Sequence, residues 1–118
     1  MFLVNAVILF AVGAVGGLTM AVMHFRTRSA PRALLATAHG LFAGGGLATL
    51  VWIVVKMGGG HGVGIALALF LLAAVGGFTL LSFHLRGRAL PSALIIGHGL
   101  VAVAAFVVLF LSALAFGA

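Results

Sequence analysis

Residues 16–40 of the chain read "GGLTMAVMHFRTRSAPRALLATAHG", and residues 76–99 repeat them as "GGFTLLSFHLRGRALPSALIIGHG". Each passage runs from a glycine pair through an apolar segment to a histidine. An arginine-rich connection, a proline and a second histidine then follow. We therefore interpret the chain as two tandem copies of one unit, residues 1–58 and 59–118.

The composition indicates a membrane protein. Apolar residues make up 65% of the chain and charged residues 5%, with no Asp or Glu, so the chain cannot cover itself with a polar surface. Four apolar stretches each approach or exceed the length of about 20 residues that crosses a bilayer as a helix. They cover about residues 2–25, 32–56, 62–86 and 91–117. A cleaved signal peptide is not expected, because the first stretch can span and lacks a basic leader.

The repeat also predicts how these spans are arranged. Short connections favour antiparallel neighbours, which gives an all-α, single-domain, up-down-up-down bundle with helix 1 diagonal to helix 3 and helix 2 diagonal to helix 4. Each copy has an even number of spans, so both copies have the same orientation. We expect a pseudo-two-fold axis along the membrane normal.

The net charge of +6 has a topological explanation and does not indicate nucleic acid as a partner. Five cations fall in connections 1–2 and 3–4: Arg26, Arg28, Arg32, Arg86 and Arg88. Connection 2–3 carries only Lys56. Because positive loops stay in the cytoplasm, we predict a multi-pass protein of the bacterial inner membrane with cytoplasmic arginine loops and both termini outside.

Several repeated residues have structural explanations. Glycines allow close helix approach in lipid, prolines suit the first turn of a helix, and threonines bond to their own helix backbone. The glycines are Gly13, Gly16, Gly17, Gly76 and Gly77. The prolines are Pro31 and Pro91, and the threonines are Thr19 and Thr79.

The histidines are the candidate functional residues. His39 and His98 lie about two turns inside helices 2 and 4, and His24 and His84 about one turn before the ends of helices 1 and 3. An ionisable side chain within a span is costly and points to function. A lone histidine would be satisfied by a backbone carbonyl. Two repeat-related pairs without any carboxylate partner favour a binding role.

The side chains available as ligands limit what the histidines can bind. The chain has no Cys, Asp or Glu, which excludes thiolate metal centres, carboxylate sites for hard cations and carboxylate-dependent proton exchange. Haem b fits, because its iron accepts an imidazole on each side and its propionates match the guanidinium groups of Arg26, Arg28, Arg86 and Arg88.

We predict one haem b held by His39 and His98, with His24 and His84 as alternative ligands. The two pairs are expected about 5 Å apart in depth, too close for two rings on the axis. Two haems bound off the axis, at an oligomer contact, are the alternative.

The residues beyond each ligand are small. Ala43 and Gly46 follow His39 on one helix face, and Ala102 and Ala105 follow His98. They leave room for a flat macrocycle, although tight helix packing explains them equally well. His61, in the unrepeated "MGGGHG" segment, is expected in a solvated loop.

A histidine near one end of a span, followed by arginine and a short loop, resembles the haem-binding hairpins of the cytochrome b561 superfamily. The resemblance covers residues 16–46 and 76–105. It implies a bis-histidine b-type cytochrome that exchanges electrons with a quinone, ascorbate, superoxide or a redox partner subunit. Cytochrome b561 itself has six spans and haems near both faces, whereas this chain has four spans and histidines at one face.

Two other functions remain open at this point. One is a non-catalytic accessory subunit of a larger membrane complex, with internally bonded histidines. The other is an anion channel lined by Arg and His. A homodimer is compatible with the many small residues, and whether any reaction is catalysed stays open.

Overall fold

The structure, a computed structural model, describes residues 2–28 and 31–115 and is helical almost throughout. Its four helices are α1 (Phe2–Thr27), α2 (Ala33–Met57), α3 (Gly60–Leu85) and α4 (Ser92–Ala115). Each is long and apolar enough to cross a membrane, so the prediction of an all-helical chain with four candidate spans is confirmed. The expected end of helix 4 at residue 117 lies outside the described residues.

The helices lie side by side in a body of 41 × 19 × 19 Å. Its long dimension is close to the length of one 26-residue helix, at about 1.5 Å per residue, and exceeds the hydrocarbon thickness of about 30 Å. α1 packs closely on α2, and α3 on α4, while α1–α4 and α2–α3 meet less extensively. Within the described residues, the backbones of α1 and α3 do not approach each other, nor do those of α2 and α4. Those helices meet through side chains.

Much of the core comes from corresponding positions of the two predicted repeat units. Ala6 and Ala66 are fully buried, as are Leu50 and Leu109. The rings of Phe10 and Phe70 stack in parallel across the centre, with centroids 3.7 Å apart and planes within 2°. Small residues beside the stacked pair let the helices close around it, because side chains rather than water must fill the interior of a bundle.

The outer surface is apolar on all sides. Val15, Leu18 and Phe78 are each about two-thirds exposed, which would be unfavourable in water but suits contact with lipid chains. Trp52 packs on Phe2 at a centroid distance of 4.8 Å. The exposed faces of the described helices are thus mostly apolar, and the arginines concentrate at one end.

The connections are short. Between α2 and α3 the chain turns through Gly58 and Gly59, at φ values of +81° and +70°, a region that side chains with a Cβ rarely adopt. The other two connections hold the arginines. We call the end of the bundle formed by residues 28, 31, 32 and 86–91 the arginine end.

Candidate functional site

His39 is fixed by the neighbouring helix of its own hairpin. Its Nδ1 lies 2.7 Å from the carbonyl oxygen of Gly13. Because a carbonyl only accepts, the N–H must be on Nδ1. α1 can come this close because Gly13 has no side chain: a Cβ there would lie 3.1 Å from the backbone nitrogen of Ala43. The close approach of α1 and α2 therefore supplies the acceptor that orients His39.

The glycine pair of α1 makes room for the His39 ring. A Cβ on Gly17 would lie 2.9 Å from Cε1 and 3.1 Å from Nδ1 of His39, which is too close for ordinary contact. A Cβ on Gly16 would lie 3.6 Å from the His39 Cβ, an ordinary contact distance. The His39 ring therefore needs a residue without a Cβ at position 17, whereas a Cβ at position 16 would make only an ordinary contact.

The second hairpin repeats this arrangement. His98 Nδ1 donates to the carbonyl oxygen of Ala73 at 2.7 Å. A Cβ on Gly77 would lie 3.1 Å from the His98 Cε1, and one on Gly76 would lie 3.4 Å from its Nδ1. Both intramembrane histidines are therefore oriented by a backbone carbonyl, as expected for any single buried histidine, but each bond uses only Nδ1.

The two oriented rings come together across the bundle. The ring centroids of His39 and His98 are 6.3 Å apart and their planes are nearly perpendicular, at 87°. Among residues 2–28 and 31–115 no hydrogen bond reaches the Nε2 atom of either ring. In a neutral imidazole protonated at Nδ1, Nε2 carries the lone pair that binds metals. The same described residues contain no cluster of three or more His, Cys, Asp or Glu side chains that could hold a bare metal ion.

The small residues beyond His39 and His98 have packing partners. Ala43 lies against the Gly13 backbone, and a Cβ on Gly46 would lie only 3.0 Å from the Phe10 ring. Ala105 is fully buried and Ala102 is partly buried. Tight helix packing thus accounts for Ala43 and Gly46, and the Phe10 ring fills the space that Gly46 leaves.

The depths of the two histidine pairs differ more than expected. His39 lies level with Gly16 and Gly17, and His24 follows Gly17 by seven residues. At 1.5 Å per residue this is about 10–12 Å, so the expected spacing of about 5 Å is corrected. The estimate from helix ends was wrong because it could not show which residues of α1 and α2 lie side by side.

His24 and His84 lie at the arginine end and line one cavity of about 210 Å³ together with Arg28 and Arg88. His24 is buried, at 8% exposure, and within residues 2–28 and 31–115 neither of its ring nitrogens has a hydrogen-bond partner. Leaving a buried polar group unpaired costs about 1–3 kcal/mol. His84, its counterpart in the second copy, is partly buried.

The four arginines expected to surround this end differ in their contacts, and only Arg28 and Arg86 have side-chain hydrogen bonds within the described residues. The Nη1 group of Arg28 donates to Ser92 Oγ at 3.2 Å, which ties the end of α1 to the start of α4. Arg86 donates to the Ser82 carbonyl oxygen and to Ser82 Oγ, at 3.2 and 2.6 Å. Arg26 and Arg88 are exposed. Arg28 and Arg88 line the cavity, whereas Arg26 and Arg86 do not.

Sequence reasoning missed the carbonyl acceptors, the central aromatic pair and the link to Ser92. Phe10 and Phe70 occupy matching places in the repeat and could have been found by extending it. The acceptors, Gly13 and Ala73, carry no side-chain signal. His61 was expected in a loop, but α3 already begins at Gly60, so His61 lies in its first turn, where it is exposed.

No known family model matches the chain, and no significant similarity to it was found among curated proteins or among solved structures.

Proposed function

We propose that the protein is a membrane haem b protein in which His39 and His98, one from each copy of the repeat, ligate the iron. The supporting observation is the 6.3 Å separation of their ring centroids. Two imidazoles on opposite sides of one metal ion, with metal–nitrogen bonds of about 2.0 Å, have centroids about 6 Å apart. A centroid separation of 6.3 Å is therefore compatible with one metal ion between the two rings.

The hydrogen bonds of the two rings support the same role. Ligating histidines usually donate the other ring N–H to a carbonyl or carboxylate, which fixes the ring and leaves Nε2 for the metal. His39 and His98 make this bond to Gly13 and Ala73. The chain has no carboxylate, so backbone carbonyls are the acceptors that the interior of the bundle can offer.

The surroundings of the pair match the polarity of haem. Phe10 and Phe70 stack on one side of the histidine layer, and His24 and the arginine end lie on the other. Each is about 10 Å away along the helices, at 1.5 Å per residue. An apolar macrocycle with anionic propionates matches the polarity of this layer, which has an aromatic pair on one side and a cationic end on the other. We place the propionates with Arg26, Arg28, Arg86 and Arg88, and we retain His24 and His84 as the alternative ligand pair.

Bound haem would supply one-electron chemistry, with a potential tuned by axial ligands and burial. The chain's own contribution is to orient two imidazoles and to surround them with apolar helices. A single haem near one face is suited to exchange with a quinone, with superoxide or with a redox partner subunit. We place the arginine end in the cytoplasm of a bacterial cell by the positive-inside rule, and the pseudo-two-fold axis of the up-down-up-down bundle between the two histidines.

The test is a visible absorption spectrum of the protein purified from haem-replete cells. We expect a Soret band that shifts on reduction and that His39→Ala or His98→Ala removes. His61→Ala is the matched control, because it deletes an exposed imidazole at the opposite end and should leave the spectrum unchanged. If His24→Ala or His84→Ala removes the band instead, the alternative pair holds the iron.

Two results would contradict the proposal. A colourless protein recovered with partner proteins would indicate an accessory subunit of a larger complex. A colourless protein that conducts anions in planar bilayers would indicate a channel.

A further inference from the structure

The cavity at the arginine end, lined by His24, Arg28, His84 and Arg88, is here called the basic pocket. Its volume is about 210 Å³, several times the roughly 30 Å³ that one water molecule occupies in the liquid. It can therefore hold a polyatomic anion. It is formed by the ends of α1 and α3 and by the connection to α4, which places it near the plane where lipid headgroups begin.

The buried His24 is the strongest sign that the basic pocket has a ligand. Its side chain is more than nine-tenths buried, it lines the pocket, and neither of its nitrogens is hydrogen-bonded within the described residues. Buried polar groups in folded proteins nearly always have a partner. A ligand in the pocket would supply that partner once the His24 ring turns to bring a nitrogen to the pocket surface, because both nitrogens are covered in this structure.

The cations of the pocket are held in place by the backbone. Arg28 adopts a left-handed conformation, at φ +56°, which residues other than glycine rarely do. Its N–H donates to the His24 carbonyl oxygen at 2.7 Å, and its Nη1 group to Ser92 Oγ at 3.2 Å. The N–H of Arg88 donates to the Phe83 carbonyl oxygen at 2.9 Å. The backbone of both arginines is thus fixed beside the pocket, and the Arg28 guanidinium is also held by Ser92.

The charge of the chain indicates an anionic ligand. There is no Asp or Glu anywhere in the sequence, so the two arginines have no side-chain counter-ion of their own. Guanidinium forks pair best with the oxygens of carboxylates and phosphates. We propose that the basic pocket binds an oxyanion, a phosphate group, from an anionic lipid headgroup or from free phosphate. The inference does not require haem at His39 and His98, but haem propionates would compete for Arg28 and Arg88, so phosphate binding is tested without haem.

Phosphate binding is measured on the full chain purified in a zwitterionic detergent from cells blocked in haem synthesis. Titration with inorganic phosphate, followed by calorimetry, reports the pocket without haem propionates. We expect saturable binding of one phosphate per chain. His24→Leu and Arg88→Gln should each weaken it about tenfold, the loss of one hydrogen bond to a charged group.

Arg26→Gln is the matched control, because it removes the same charge from an exposed position outside the pocket. It should change the affinity by less than about twofold, as expected for a distant exposed charge in salt. If Arg26→Gln and Arg88→Gln weaken binding equally, the anion responds to net charge alone and the proposal is overturned. Failure of wild type to bind phosphate or lipid also overturns it. Arg88 is exposed, so its variant tests the pocket even if His24→Leu does not fold.

A second arm identifies the source of the phosphate. The same variants are reconstituted in nanodiscs of phosphatidylcholine, with or without phosphatidylglycerol, and ³¹P NMR records immobilised headgroups. An immobilised phosphatidylglycerol signal that Arg88→Gln removes and Arg26→Gln keeps indicates a lipid ligand. Phosphate binding in detergent without that signal indicates free phosphate. Loss of the haem spectrum in any variant would affect only the haem proposal, because neither arm uses haem.

Discussion

Replacing Gly17 with alanine should displace the His39 ring, and this is the sharpest consequence of the structure. The new methyl carbon would lie 2.9 Å from Cε1 and 3.1 Å from Nδ1 of that ring. The ring cannot move away from the new methyl group without straining its hydrogen bond, because its Nδ1 lies 2.7 Å from the Gly13 carbonyl oxygen. It must therefore shift and weaken or give up the bond.

The expected cost follows from these contacts. The lost hydrogen bond contributes about 0.5–1.5 kcal/mol, and overfilling a packed site costs about 1–3 kcal/mol. Alanine recovers up to about 1 kcal/mol through its greater helix propensity. Gly17→Ala should therefore lower the free energy of unfolding by about 0.5–3.5 kcal/mol.

The neighbouring Gly16 provides the control. A Cβ at Gly16 meets His39 only at 3.6 Å, so Gly16→Ala should be neutral or slightly stabilising. Stability is measured by denaturant-induced unfolding in mixed micelles, and the ¹⁵N NMR signals of the His39 ring report its hydrogen bond. If Gly17→Ala is as stable as Gly16→Ala and leaves those signals unshifted, the packing described for His39 is wrong.

Three further predictions concern other parts of the bundle. A double-mutant cycle with Phe10→Ala and Phe70→Ala should give a coupling energy of about 0.5–1.5 kcal/mol by unfolding in micelles; additive effects would show that the rings do not touch. Thr19→Val should change stability by less than about 0.5 kcal/mol, because its exposed hydroxyl only bonds the Val15 carbonyl of its own helix. Gly87→Ala should lower stability by about 1–2 kcal/mol, since Gly87 has φ +67° with open space around it; an unchanged midpoint would contradict the left-handed turn.

The four-helix, all-helical character of the chain follows from its composition. Four apolar stretches without acidic residues leave little alternative to four spanning helices, because every backbone group in lipid must be hydrogen-bonded within the structure. The helix ends were also found closely, since arginine, proline and glycine interrupt the apolar pattern where α1, α2 and α3 end or begin. The predicted backbone bonding of the Thr19 and Thr79 hydroxyls is confirmed.

The geometry of the candidate site could not be predicted from any one segment of the sequence. His39 and His98 could be singled out because an imidazole among apolar residues is costly, but their 6.3 Å approach joins helices whose backbones do not meet. Two further features depend on which residues of neighbouring helices lie side by side. One is the depth of His24, about 10–12 Å from His39 along the helices. The other is the packing of the Phe10 ring against Gly46. Sequence patterns define the faces of a helix, whereas the relative level of two helices is set by packing over their whole length.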